Sequence, residues 1–500
     1  MVPFLKRYRV EAVLVVIGLL ILTLLWIVQQ AVLNEPGGVN FVRFLGAPLD
    51  DVYIHCRFAQ NLLSGHGFAF NPDVPITGDT SPLWVLLIAI GGLITHDLVT
   101  VAILLSVLFY LFLGPGVYRA ARDVFHLEER WARLAGLITV IGSRMIWSAA
   151  SGMEVTLAAL LMLLVVEEHE RAKQLGAPRL REAIWLGLGY NVRPEFLFLI
   201  GLVFLDWIIF FLKSKKPTSK LLRLGFLTLV LVLPYPLYSF AIEGSFVSHS
   251  SIVQGAHVSL IPNLAYLWFA LKIYASNNLF AFVLLVVGLW ALHGRNGWRL
   301  PMLLVIGLPI LQAFVAPQFR HHGRYFFPVF PVAMLLACAT GEKLTKEKKN
   351  LFHVFATLLI IGGVVEAGRW AALESYAARN INDQHLKIAD WVEKHTTPSD
   401  VLAVDDVGAL AYQTNRPLID LTGLMSPEIF KVRNNQDSVW IEARALGANI
   451  FIIYDRLNPP FLERHRDSLD FVEEFSVRKP LVSAADTTMR LYRLRRNAAR

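Results

Sequence analysis

Apolar residues along this chain come in long unbroken runs separated by short polar stretches. Runs near residues 10–33, 98–118, 134–150, 153–168, 221–242, 276–293, 300–316, 325–341 and 351–370 approach the ~20 residues that a bilayer-spanning helix needs. The run "SPLWVLLIAIGGLI" from Ser81 is shorter. Counting it as a crossing would put Arg119, Arg122, Arg130 and Arg133 outside, against the positive-inside bias, so residues 81–95 are predicted to form an interfacial or re-entrant helix. The run "AIWLGLGYNVRPEFLFLIGLVFLDWIIFFL" is interrupted by Arg193, Pro194 and Glu195. Its flanks are both basic (Arg179 and Arg181; Lys213, Lys215 and Lys216), which predicts two segments with Arg193 and Glu195 at an outer apex.

The pattern predicts a polytopic α-helical membrane protein with about eleven crossings plus interfacial helices. The amino terminus and the loop of Lys343, Lys346, Lys348 and Lys349 lie inside, and everything after residue 371 lies outside. Past that point the pattern changes. "INDQHLKIADWVEKHTTPSD" is amphipathic, "VLAVDD" and "NIFIIYD" read as buried strands, and "SVWIEARALGA" reads as a helix. The expected organisation is a transmembrane catalytic domain over 1–370, with a first extracytoplasmic loop over about 34–97, and a soluble extracytoplasmic α/β domain over 371–500.

Composition supports the membrane reading: 55% of residues are hydrophobic and only 17% charged. The net charge of +8 sits in short clusters between apolar runs, so nucleic acid is excluded as the partner and the lipid bilayer takes its place. Cys56 and Cys338 form neither a disulfide framework nor a ligand spacing. Lys6, Arg7 and Arg9 precede an apolar run without a small-residue cleavage site, as in a retained signal anchor.

Several polar residues fall on the predicted outer face. Asp50 and Asp51 open "DDVYIHCRFAQNLLSG", where an acid can serve simply as a helix cap. Glu154 lies at the outer end of two spans, Arg193 with Glu195 at an apex, and Arg320, His321, His322 and Arg324 in "PQFRHHGRYFFP". Arg193 with Glu195 also reads as a structural ion pair, and Arg320 and Arg324 as snorkelling side chains beside Tyr325. Ionisable groups at such depths are costly, and their gathering at one face favours function. Carboxylates near arginines suit sugar transfer from a lipid phosphate. An Asp accepts the acceptor's proton, and the Arg fork neutralises phosphate oxygens. No nucleotide-binding motif is present.

The stretches "DDVYIHCRFAQNLLSGHGFAFNP" and "GDTSPLW" resemble the first extracytoplasmic loop of the GT-C glycosyltransferases that use polyprenyl-phosphate sugars. The similarity is to the branch that includes actinobacterial terminal arabinofuranosyltransferases, related to aminoarabinose and protein O-mannosyl transferases. It extends to "SGME", "RPE", "HHGRYFFPVFP" and "AVDDVGALAYQTNRPLIDLTGL", most of the chain. The resemblance implies inverting transfer of one sugar from a polyprenyl phosphate to an extracytoplasmic acceptor, a cell-envelope glycan, lipid or protein. It implies a base at Asp50 or Asp51, with Asp50 favoured as the first acid of the pair, and an outer acid matched by Glu154. The segment "EGSFVSHSSIVQGAH", with His249 and His257, departs from it, which puts acceptor specificity in question.

The expected phosphate ligands are Arg193, Arg320 and Arg324. Glu195, Glu154, His66, His322 and Tyr325 are expected to orient them or shape the sugar pocket, and His249, His257 and Asp406 are candidates on the acceptor side. The outer histidines lack a ligand spacing, which leaves a divalent cation an open question. Two rival readings remain at this stage. A transporter or flippase would be expected to show repeated halves and a midplane site, and an oligosaccharide ligase would use a lipid pyrophosphate.

Overall fold

The computed structural model describes residues 8–34, 46–214, 219–255, 259–295, 297–315, 317–319, 321–454 and 459–495. The fold is that of a polytopic α-helical membrane protein carrying a mixed α/β sheet near its carboxyl end. Among the described residues, five helical stretches are long and apolar enough to cross a membrane: Arg9–Leu33, Leu98–Asp123, Phe196–Ser214, His322–Thr345 and Leu351–His395. A sixth results if Ser219–Val232 and Pro234–Glu243, bent by 44°, count as one span. Pro234 and Pro236 explain the bend, since each removes a backbone donor from the helix ladder. Leu20, Leu24, Ile361 and Val365 point outward, as lipid-facing residues do.

The expected count of about eleven crossings includes apolar segments too short or too broken to meet this length criterion. Pro82–Gly92, Leu279–Ala291 and Arg299–Val315 fall short of a full span. The predicted segment 134–150 is interrupted at Gly142, whose extended ψ of 118° separates Glu129–Val140 from Ser143–Ala150. The interrupted apolar run forms two helices, Leu180–Tyr190 and Phe196–Ser214, with Arg193 and Glu195 in the turn between them.

The chain forms two compact units. One comprises residues 1–25, 104–235 and 257–371, and the other residues 26–103, 236–256 and 372–500. The first is a helical assembly. Its polar interior includes His169, whose Nδ1 lies 2.6 Å from Glu182 and whose Nε2 lies 3.0 Å from Asp206, an acid that Lys173 also reaches at 2.6 Å.

The second unit joins the first loop to a five-stranded sheet. With β1 at Ala69–Asn71 and β2 at Val74–Pro75 forming a small ribbon, the main sheet comprises β3 (Leu402–Val404), β4 (Leu418–Asp420), β5 (Ile450–Ile453), β6 (Leu469–Ser476) and β7 (Thr488–Leu494). Its order is β4-β3-β5-β7-β6. β3 runs parallel to β4 and β5, with Leu402 opposite both Leu418 and Ile450, whereas β7 is antiparallel to β5 and β6. The three parallel strands are buried throughout, as strands covered on both faces must be. Ala403, Ile419, Phe451 and Ile453 pack with Ile429, Val439 and Phe461 into the core of this layer. Ligands in open α/β sheets gather beyond the carboxyl ends of such strands, and Asp405 and Asp406 follow β3 directly.

Candidate active site

In the second unit the acid pair opens the helix Asp51–Leu63, but Asp50 does not cap that helix with its side chain. Its carboxylate instead accepts hydrogen bonds from the amides of Gly408 and Ala409, each 2.7 Å long, at the start of the helix Gly408–Thr414. This arrangement explains the glycine: a Cβ on residue 408 would lie 2.3 Å from the Asp50 carbonyl oxygen and 2.7 Å from Oδ2. Burial pushes the Asp50 carboxyl up to about 6. The nearby Asp406 charge adds to the rise, against the opposing pull of His385 and the two amides. Asp51 is half-buried, and its charge is felt at Asp406.

A second layer of polar groups surrounds the pair. A π-helical turn at Asn382–Leu386 places His385 so that its Nε2 lies 3.0 Å from Asp406, while the Tyr454 hydroxyl donates to the same carboxylate at 2.8 Å. Burial works against charge at Asp406, but the hydrogen bond and charge of His385 outweigh it and hold this carboxyl below the usual range. One turn along the first helix from Asp51, His55 is buried with Nδ1 2.5 Å from Asp79, whose other oxygen accepts the Ser81 amide at 2.7 Å.

The remaining candidates of this unit lie elsewhere. His66 is exposed and pairs with Asp73 at 3.0 Å. His249 is buried, with Nε2 2.9 Å from the Gly423 carbonyl and its ring against Phe430. Asp420 accepts amides from Thr422 and Met425, the turn-forming use of an acid after a strand. His257 lies outside the described residues.

In the first unit, five of the predicted residues come together. Arg193 donates from Nη1 to Glu154 at 2.6 Å, and from Nη2 and Nε to the two oxygens of Glu195 at 2.7 and 3.2 Å. The Tyr325 ring lies 5.4 Å from the Arg193 guanidinium and 5.2 Å from that of Arg324, which is buried. His322 has a left-handed backbone (φ 59°), and its ring meets Trp147 and Trp370 edge-on. Arg320 lies outside the described residues. Among the described residues no three His, Cys, Asp or Glu side chains gather as a metal ligand set, and no step below passes through a metal.

Sequence reasoning did not single out His385, Tyr454, Gly408 or the His55–Asp79 pair. The only available signal was the spacing of Asp51 and His55, which puts them on one helix face.

A family profile described as a domain of unknown function (DUF8728) matches residues 379–492. No curated protein matches the sequence. Solved structures do share its backbone. ArnT from Cupriavidus metallidurans, bound to undecaprenyl phosphate, gives a TM-score of 0.60 at 13% identity, over 96% of this chain and 98% of that one. The oligosaccharyltransferase of Archaeoglobus fulgidus, in complex with zinc and sulfate, gives 0.57 at 15% identity, over 86% of this chain and 67% of that one. Arabinofuranosyltransferase AftD from mycobacteria gives 0.52 at 15% identity over 97% of this chain but only 40% of its own. With these likenesses, the chain has the fold of the GT-C glycosyltransferases.

Proposed function

We propose that the protein is an inverting glycosyltransferase that moves a single sugar from a polyprenyl phosphate to an extracytoplasmic acceptor, a cell-envelope glycan. The observation that carries this reading is the Asp50 carboxylate, held by two backbone amides and raised to about 6 at the opening of the first loop, in a fold shared with a protein bound to undecaprenyl phosphate. A base works best with a pKa near the working pH and a fixed orientation, and Asp50 has both. The acceptor hydroxyl attacks the anomeric carbon and its proton passes to Asp50. The bond from that carbon to the phosphate oxygen breaks, and the electron pair leaves with the polyprenyl phosphate.

Charge builds on the leaving phosphate, so cationic donors aimed there lower the barrier. Arg324 and Arg320 take that role in the first unit. Arg193 is held by Glu154 and Glu195, so it serves as the scaffold on which Tyr325 and Arg324 are set. Asp406, with His385, keeps the second unit's acid cluster in place. The proposed domains are a transmembrane part over 1–370 and an outer domain over 371–500, with the amino terminus cytoplasmic.

The test is transfer by purified protein in detergent, with a panel of polyprenyl-phosphate sugars and mixed envelope glycans. One donor should give product, and Asp50→Asn should abolish it. Undiminished turnover in the Asp50→Asn, Asp51→Asn double variant would overturn the reading.

A further inference from the structure

The assignments above do not use Arg144, a buried arginine of the first unit. Arg144 follows the break at Gly142, on the first turn of the helix Ser143–Ala150, and is only 1% exposed. Its backbone amide and the Ser143 hydroxyl both donate to Asn277 Oδ1, at 3.4 and 3.1 Å, which pins the helix start. The guanidinium lies over the Trp370 ring at 3.5 Å, with Phe327 at 5.4 Å. Nη2 donates to the Ser276 hydroxyl at 2.7 Å, and that hydroxyl in turn donates to the Ile273 carbonyl. Nε and Nη1 are buried and have no hydrogen-bond partner among the described residues.

A buried guanidinium with unanswered donors is expensive, because a charge removed from water needs both a counter-charge and acceptors. The surroundings hold the group rather than neutralise it. Ser276 fixes one nitrogen and Trp370 fixes the plane, while the Glu366 carboxylate, 3.5 Å from Arg369, acts on Arg144 through its charge without giving it a hydrogen bond. His322 meets the same Trp370 ring edge-on, in a left-handed conformation next to Gly323, which is left-handed too. Strained backbone of this kind persists where surrounding structure over-determines it, commonly at ligand sites. Arg193 presents the opposite case, with all three kinds of nitrogen engaged by carboxylates.

We propose that Arg144, caged by Trp370, Phe327 and His322 and steadied by Ser276, is a phosphate-binding residue for the isoprenoid phosphate of the proposed reaction. An open donor together with the second hydrogen of Nη2 forms a fork that matches two phosphate oxygens, and the aromatic wall excludes water that would weaken the contact. The phosphate changes from a diester with about one negative charge in the donor to a monoester approaching two in the product. Arg144 therefore holds the departing phosphate more strongly than the incoming one, as a group that assists departure must. The assignment rests on the functional reading above.

The test is binding of undecaprenyl phosphate to the full chain in detergent, without sugar or acceptor, with phosphatidylglycerol and inorganic phosphate in parallel arms. Wild type should bind undecaprenyl phosphate. Arg144→Gln should bind it at least about tenfold more weakly, the effect of losing a charge-assisted hydrogen bond, and Arg144→Lys should fall between them. Trp370→Leu, which keeps the charge and removes the platform, should weaken binding several-fold and decides the matter if Arg144→Gln does not fold. Equal binding by wild type and the Arg144 and Trp370 variants would overturn the role of Arg144 and leave the glycosyltransferase reading standing. An Arg144-dependent response to phosphatidylglycerol or inorganic phosphate in place of undecaprenyl phosphate would assign the site to a headgroup or free anion and overturn the donor assignment. Transfer activity measured on the same preparation separates the two readings: turnover without Arg144-dependent binding sinks only this inference.

Discussion

At the scale of single residues, the position of one carboxylate depends on a missing methyl group 358 residues away. Gly408→Ala would drive a Cβ into the backbone oxygen and carboxylate of Asp50. Relief requires moving either the first loop or the helix Gly408–Thr414, an overpacking cost of about 1–3 kcal/mol. The variant should melt several degrees lower and lose most of its transfer activity; wild-type values for both would show that the contact is dispensable. Asp50→Asn keeps the shape but removes the proton acceptor and sets its NH2 against one of the two backbone amides, so kcat should fall by roughly 10²–10⁴ and the melting temperature by a few degrees. In the wild type, the raised Asp50 pKa predicts a rate that is flat above about pH 6 and falls as the pH drops through that value, because the base must be deprotonated. A rate–pH profile without an acid limb near 6 would remove Asp50 from the base role. The sequence showed the acid pair. Its partners could not be read there, because His385, Gly408 and Tyr454 are brought in by tertiary folding and none sits in a spacing that points to residue 50.

At the scale of elements, the apolar runs foretold most helices to within a few residues, because spanning segments need length and apolarity more than any special residue. The split of 183–212 at Arg193 and the bend before Pro236 were both written in charge and proline. The break at Gly142 was not, since a lone glycine inside an apolar helix is ordinary. In the carboxyl-terminal part, "VLAVDD" and "NIFIIYD" became β3 and β5 as their buried character implied. β6 escaped notice because it is an edge strand, with most of "LDFVEEFS" exposed and acidic, so neither a buried run nor a clean alternation marks it. The π-helical turn that presents His385 was equally silent in the sequence. It supports a prediction about stability. The lowered pKa of Asp406, which His385 helps to hold down, means that its contribution is full above about 3.9 and is lost as pH falls through the folded value. The melting-temperature gap between wild type and His385→Gln should therefore narrow as the pH falls through the acid range; a gap independent of pH would show that the pair adds packing rather than charge.

At the scale of the whole molecule, the distribution of basic residues is the main guide to orientation, and it yields a test that needs no substrate. Both native cysteines are buried, so an introduced thiol reports with little background. A thiol at Glu474→Cys, on the exposed strand β6, should react with a membrane-impermeant maleimide on intact cells, while one at Lys348→Cys should react only after permeabilisation. The reverse pattern would invert the topology and, with it, the face on which the acid pair acts. The fold was legible because lipid imposes simple rules on chains that cross it. The phosphate-side residues were only partly legible, because the sequence marks a charge as unusual without saying whether a neighbour already answers it: Arg193 turned out to be held by two carboxylates, while Arg144 has two donors still open.

The hold of Gly408 and Ala409 on Asp50 also bears on the timing of biosynthesis. Residue 50 leaves the ribosome 358 residues ahead of the Gly408 amide that helps to orient it. Until then the nascent protein can occupy the membrane with its first loop exposed and its acid unaligned. Under the proposed reaction, the chain thus becomes competent only after residues 408 and 409 have been made and folded.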